Sequence, residues 1–449
     1  MSKDMTKGMP AKLILGFAGP LILGNIFQQF YNMADAVIVG RFVGQEALAA
    51  VGATGSTTFL LVALMMGLTN GAGIIISQYY GAEEYVNMRK SIISLAFIIL
   101  LLSILTSLTG VLASRRLLMI LNTPESILDD AVLYMRILFS GVFGIAAYNM
   151  CGAVLRSIGD SKTPLYALVL SSAINVGLDL LFVITFGWGV GGAAAATVIS
   201  QTASAVFCIA VIKKKHKVLH PQKNEIHIDA GRIRMIFRMG LPTAMQSSLI
   251  ALSNMSVQSL VNGFGAVTLA AYTAAGKIDS IAIQLVVSIG MAMSVYSGQN
   301  VGAGNFDRVI KGLKHTLAIM VSGCVLTAVM IVLFKESLLG LFLRGDEASA
   351  AISIGSEYLI IVSVAYVIAG IMQSFLNLIR GAGDMSASIF AGIIELSARV
   401  LFSFVLSAKL GSTGLWIAIP LSWGCACLYT IFRYSTGKWK EKSVVAKAA

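Results

Sequence analysis

Residues 155–186 read LRSIGDSKTPLYALVLSSAINVGLDLLFVITF. After a short polar turn holding Arg156 and Asp160, the chain carries no charge from Thr163 until Asp179 and stays apolar to Phe186. An apolar run of this length matches the roughly 20 residues of helix that cross the hydrocarbon core of a bilayer. The polar turn returns as Leu378-Ile379-Arg380-Gly381-Ala382-Gly383-Asp384, with Arg156 and Asp160 shifted by 224 onto Arg380 and Asp384. Self-similarity at a fixed spacing fixes an architecture more firmly than any local motif, so a membrane helix in a repeated setting is the starting point.

More of the repeat lies on either side. Gln78, Gly81 and Ala82 reappear as Gln299, Gly302 and Ala303, Leu48-Ala49-Ala50 as Leu269-Ala270-Ala271, and Pro20 with Asn32 as Pro242 with Asn254. Six apolar segments can be drawn in each half: 13–39, 47–77, 91–113, 128–152, 163–186 and 190–212, then 236–262, 267–298, 312–334, 352–379, 386–408 and 413–434. The expected fold is an all-α membrane protein, twelve transmembrane helices in two pseudo-symmetric six-helix lobes. The lobes are residues 1–212 and 236–449, the second with a cytoplasmic tail, joined by a basic cytoplasmic linker, 213–235. Six is even, so both copies enter from the same side; the repeat is parallel and its axis runs along the membrane normal.

Composition agrees. The chain is 57% hydrophobic and 12% charged, where soluble domains have about 45–50% and about 25%. Of its 33 Lys and Arg residues, 24 fall in connections on the side of the N-terminus and 6 on the other, while Arg136, Lys277 and Arg399 lie inside segments. The positive-inside rule then places both termini in the cytoplasm and the chain in the plasma or inner membrane as a multi-pass protein. The same bias accounts for the net charge of +12, so the charge is not a nucleic-acid footprint and no nucleic-acid partner is expected. The first apolar segment follows Lys3, Lys7 and Lys12 with no small-residue cleavage site and reads as a retained helix. Cys151, Cys208, Cys324, Cys425 and Cys427 have no His or Cys neighbours at ligand spacing and read as packing residues.

A charge at the bilayer centre costs at least about 2.5–3.5 kcal/mol, so ionisable groups inside spans mark function or pairing. Asp35 shares a helix face with Tyr31 and Gln28, four and seven residues before it; Asp179 shares one with Asn175 and Ser172. Asp179 and Thr197 lie at one depth, roughly 10 Å below the outer surface at 1.5 Å per residue, with Asp35 not far above. Two carboxylates, an amide and a hydroxyl at one level suit a proton or a small cation such as Na+. Their alternative role is to hydrogen-bond the helices of one half together. In the second half, Glu395 and Arg399 stand four apart and read as a pair, and Lys277 is expected to be compensated by Asp279 or by a group on another helix. No hydrolase motif appears, and His216, His220, His227 and His315 sit in or beside cytoplasmic connections, so the chain is not read as an enzyme.

These residues resemble the multidrug and toxic compound extrusion (MATE) family, closest to its prokaryotic DinF-like branch. The features that carry the resemblance are Pro20 followed by Tyr31-Asn32-Met33-Ala34-Asp35, the stretch Leu155 to Asp160, and Asn175 with Asp179 followed by Thr197, all within twelve helices and a parallel repeat. The resemblance implies a secondary exporter of organic, often cationic or lipophilic compounds. It would work by H+ or Na+ antiport and alternate access between lobes, with no cofactor beyond the coupling ion. It assigns Asp35, Asn175, Asp179 and Thr197 to the cation or proton site and a helix bend to Pro20. Gln28, Tyr31, Asn149, Lys277 and Arg399 are the candidate substrate contacts. The partners expected are the small organic substrate and membrane lipids, with the chain a monomer. The alternative within the same superfamily is a lipid-linked precursor flippase, and the scarcity of basic residues in the spans argues against it. The NorM-like branch places acids in its seventh and tenth helices; here the seventh offers none and the tenth only Glu357, near its outer start. Shifting Asn175 and Asp179 by 224 lands on Arg399 and Ser403, and shifting Asp35 by 222 lands on Val257.

Overall fold

The computed structural model describes residues 4–343 and 347–445, with the backbone alone for Ser56, Phe59, Leu60 and Leu61. Lys3, Arg344 and Lys447, part of the charge pattern above, lie outside the described residues. Thirteen α-helices make up nearly all of it: α1 (Pro10–Phe42), α2 (Gln45–Gly81), α3 (Tyr85–Ile120), α4 (Glu125–Ser140), α5 (Val142–Ser157), α6 (Lys162–Asp179), α7 (Gly189–Lys215), α8 (Ala230–Asn262), α9 (Ala266–Gly302), α10 (Phe306–Gly340), α11 (Ala348–Gly381), α12 (Ser386–Leu410) and α13 (Ser412–Ser435). No strand occurs among the described residues. Helix is the structure such a sequence has to take in lipid, because it satisfies every backbone group within its own segment.

Ten of these helices are long and apolar enough to span, and α4 with α5, meeting at 51°, make an eleventh. The twelfth expected segment is α8, whose apolarity is diluted by Gln246, Ser247, Ser248, Ser253, Asn254, Ser256 and Gln258. The fourth expected segment, 128–152, is therefore a broken span. Its break falls at Gly141, where a Cβ would lie 2.1 Å from the Val198 side chain of α7; only glycine lets α7 press into the bend.

By contacts, the chain divides inside two helices rather than in a loop. Leu23–Ala244 form most of one compact unit, unit 1; Met5–Ile22 and Met245–Ala449 form unit 2. The cuts after Ile22 and after Ala244 are 222 apart, the shift that relates Pro20 to Pro242, and each follows its proline by two residues. A proline removes an intrahelical hydrogen bond and crowds the preceding turn, yet α1 and α8 continue through Pro20 and Pro242.

Local packing explains the unusual membership. In unit 1, Gly67 and Gly71 of α2 face Ala244 and Gly240 of α8, and a Cβ on Gly71 would lie 2.5 Å from Gly240 Cα. Small residues four apart on both helices let two membrane helices approach backbone to backbone. At the start of α8, Arg232 donates to Asn87 O (3.1 Å), Asn87 Oδ1 (2.6 Å) and Ser91 Oγ (3.1 Å) on α3. In unit 2 the segment before α1 is held similarly. Met5 N–H donates to Gln299 Oε1 (2.9 Å), Asn300 Nδ2 donates to Met5 O (3.1 Å), and Arg308 Nη2 donates to Gly8 O (3.0 Å).

The repeated polar turn has one task in both copies, which is to tie the end of the last helix of each six-segment half to an earlier turn. Asp160 caps α6 through Thr163 N–H (3.0 Å) and the Thr163 hydroxyl (2.7 Å), and its Oδ2 meets His216 Nε2 at 3.0 Å just past α7. Burial pushes this carboxyl up, but those hydrogen bonds outweigh it and hold Asp160 well below the usual carboxylate range. Asp384 accepts from Ser386 Oγ (2.7 Å) and, through Oδ2, from Arg433 Nε (2.8 Å) and Nη2 (2.6 Å) at the end of α13. The linker is clamped as well. Glu225 accepts from Arg89 Nε (2.7 Å) and Nη2 (2.6 Å), which with a bond from Gln222 N–H holds its carboxyl down at about 2.

Candidate functional site

Within unit 1, α1, α4, α6 and α7 bring the acid set together. Asp179 is the last residue of α6 and fully buried, and Asn175, one turn earlier, is fully buried on the same face. Beyond Asp179 the helix widens into a π-helical turn, Leu180–Thr185, in which Phe186 N–H reaches back to Leu181 O (3.0 Å). Such wide turns frequently accompany functional sites; here it starts at the residue after the acid.

The carboxyl groups of Asp35 and Asp179 are close enough to act directly on one another. The Asn175 amide, turned with its nitrogen toward the acid, donates to Asp179 Oδ2 (2.9 Å) and accepts from Thr197 N–H (3.3 Å). Tyr31 Oη donates to Thr197 Oγ1 at 3.4 Å. Asp35 Oδ1 and Asp179 Oδ1 are both buried with no donor among the described residues. Two carboxylates in contact with an orphaned oxygen each repel strongly unless a proton or a cation lies between them. The four residues expected at the site, and Tyr31, therefore do come together.

Two neighbours were not legible in the sequence. Tyr134 of α4 is close enough to act electrostatically on Asp35 and Asp179, and Ser200 of α7, fully buried, lies one turn from Thr197 and donates to its carbonyl (2.9 Å). Tyr134 belongs to an apolar cluster with Ile38, Val39, Val183 and Val190, so an apolar layer adjoins the acid pair on its side. A low-dielectric wall of this kind strengthens every charge interaction inside it.

The other expected contacts are placed as follows. Gln28 donates to Asn32 Oδ1 along α1 (3.3 Å), and Asn149 of α5 donates to Ile145 O of its own helix (2.8 Å). In unit 2, Arg399 pairs with Glu395 at 2.8 Å, as their spacing predicts. Lys277 does not pair with Asp279. Residues two apart point away from each other on a helix; Asp279 accepts instead from Tyr366 Oη (2.5 Å), and Lys277 is exposed, with no ion pair among the described residues. Glu357 accepts from Thr413 Oγ1 at 2.6 Å. Three or more His, Cys, Asp and Glu side chains do not cluster at metal-ligand spacing among the described residues.

Comparison with known proteins bears on family and fold. The MatE family model matches residues 20–181 and 242–405, one block in each half of the repeat. The chain is 29% identical over 443 residues to the "Probable multidrug resistance protein YpnP" of Bacillus subtilis, covering 97% of each chain. It is 23% identical over 432 residues to the "FAD transporter" of Shewanella oneidensis, covering 93% of each. Among solved structures, a MATE protein crystallised in complex with MaL6 superposes with a TM-score of 0.91 at 24% identity, over 98% of this chain and 99% of that one, which shows the shared fold.

Proposed function

The chain belongs to the MatE family, and from that premise we propose that it exports small organic compounds across the plasma membrane by cation antiport, alternating between inward-open and outward-open states. The observation that carries the coupling is the close approach of half-buried Asp35 to fully buried Asp179 in one half of a duplicated scaffold, with a buried, unpartnered oxygen on each. Two carboxyl groups this close can share a proton or hold a small cation such as Na+ between them, so the coupling ion is H+ or Na+. Thr197 and Asn175 are then positioning residues, the first held by Tyr31 and the second holding Asp179.

In this reading one H+ or Na+ enters from outside, halves the negative charge of the pair and relieves its repulsion; substrate release to the outside accompanies loading, and release of the ion to the cytoplasm resets the cycle. Both termini are cytoplasmic, as the distribution of basic residues implies, and the monomer is the working unit. The substrate class is an organic compound of cationic or lipophilic character, consistent with relatives named for multidrug resistance, and the relative named as an FAD transporter widens the range to be tried. Proteoliposomes loaded with a fluorescent organic cation, under an imposed pH or Na+ gradient, test the proposal. Gradient-driven efflux should fall at least tenfold in Asp35→Asn; efflux unchanged by that substitution would overturn the coupling assignment.

A further inference from the structure

Unit 2 has no acid at the positions matching Asp35 and Asp179, yet it is not apolar there. The shift of 224 that carries Asp160 onto Asp384 carries Asn175 onto Arg399. The shift of 222 that carries Pro20 onto Pro242 carries Asn32 onto Asn254. The same shift carries Gly189 and Gly192 onto Gly411 and Gly414, and Ser200 onto Ser422. The backbone supports this last register, since Gly189 and Gly411 open α7 and precede α13 with φ of +56° and +61°.

Two of these matched residues, Asn254 and Ser422, meet at one group, the guanidinium of Arg399. Its Nη1 donates to Asn254 Oδ1 (3.0 Å) on α8, its Nε to Ser422 Oγ (3.1 Å) on α13, and its Nη2 to Glu395 Oε1 (2.8 Å) on α12. The face of the guanidinium lies 5.9 Å from the centre of the Trp423 ring, an attractive cation–π arrangement. The side chains of Arg399 and Glu395 are 6% and 9% exposed. Asp279 of α9 is close enough to interact with Arg399 as well. A carboxylate, an amide oxygen, a hydroxyl and an aromatic face thus enclose a cation, and the cation is covalently part of the chain.

We propose that unit 2 keeps the cation pocket of the duplicated lobe and fills it with its own side chain, Arg399 standing where unit 1 takes an exchangeable ion. The pocket is a site for a small planar cation of the guanidinium class, masked by a tether. Exchange of ions is thereby confined to unit 1, and the charge in unit 2 stays constant through the cycle. This inference goes beyond the export reading and does not depend on the substrate, because the pocket is defined without it.

A structural ion pair and a filled cation pocket differ once the tether is cut. Truncating one partner of a buried pair destabilises either way, but only a pocket of defined shape takes back a free cation. Full-length wild type and Arg399→Ala, purified in detergent, are compared by thermal unfolding over a millimolar series of methylguanidinium, with tetramethylammonium at equal ionic strength as the size control. A ligand that binds only the folded protein raises the midpoint in a saturable manner. The expected result is a midpoint for Arg399→Ala below wild type, most of which methylguanidinium restores. Tetramethylammonium should not restore it, and neither the wild type nor Arg399→Ala/Glu395→Gln should respond to methylguanidinium. Absence of a methylguanidinium-specific rise in Arg399→Ala, or an equal rise in wild type, overturns the proposal. Should Arg399→Ala not be recovered folded, Arg399→Ser, which also leaves the pocket open, is measured under the same two criteria.

Discussion

Glu83 sits at φ +58° in the turn between α2 and α3, while its repeat partner Gly304 holds the matching turn between α9 and α10 at φ +73°. The left-handed conformation costs a side-chain-bearing residue roughly 1 kcal/mol that glycine does not incur. Glu83→Gly should therefore raise the unfolding free energy by about 1 kcal/mol, and Gly304→Ala should lower it by a similar amount, both read from thermal unfolding in the same detergent. The two copies of the repeat have also diverged in what their buried residues do. Asn175 positions an acid in one, and Arg399 at the matching position supplies a cation in the other. The acids, the amide and the hydroxyl of the coupling site were legible as residues because charge and amide are costly in a span. Their neighbours Tyr134 and Ser200 were not. A tyrosine at the edge of an apolar cluster and a serine that bonds its own helix look the same in sequence whether or not an acid pair lies beside them.

At the scale of elements, hydropathy identified the spans but not their irregularities. The break at Gly141 depends on tertiary packing, with Val198 pressed against the glycine, and the π-helical turn after Asp179 has no hydropathy signal of its own. The polarity of α8 showed in its sequence, and yet the length of α8 and its repeat relation to α1 placed it among the spans. The Lys277–Asp279 expectation failed on helix geometry alone. The contact of α2 with α8 is the element most exposed to a single substitution. Gly71→Val would drive a side chain into the Gly240 backbone, and overpacking of this kind costs typically 1–3 kcal/mol. Gly52→Ala, on the same helix, has nothing within 4 Å of the added Cβ and serves as its control. The first should lower the unfolding midpoint by several degrees and the second leave it unchanged or slightly raised; equal effects would remove the close approach of α2 and α8 from the account.

For the whole molecule, the repeat was fully legible because duplicated turns keep their function. Asp160 and Asp384 each tie the last helix of a six-segment half to an earlier turn, and glycines or left-handed residues recur at matching places. The division of the chain inside α1 and α8 was not legible, since nothing in an apolar run tells which neighbour each half of a helix will touch. What the duplication leaves is one scaffold used twice with unequal chemistry: an exchangeable site built on Asp35 and Asp179 in unit 1, and a permanently charged one built on Arg399 in unit 2. Gradient-driven efflux in proteoliposomes, compared between Asp179→Asn and Asp279→Asn, tests that asymmetry most directly. Asp179→Asn should lose its dependence on the imposed gradient while Asp279→Asn keeps it; a gradient response that survives in Asp179→Asn and disappears in Asp279→Asn would contradict this division of roles.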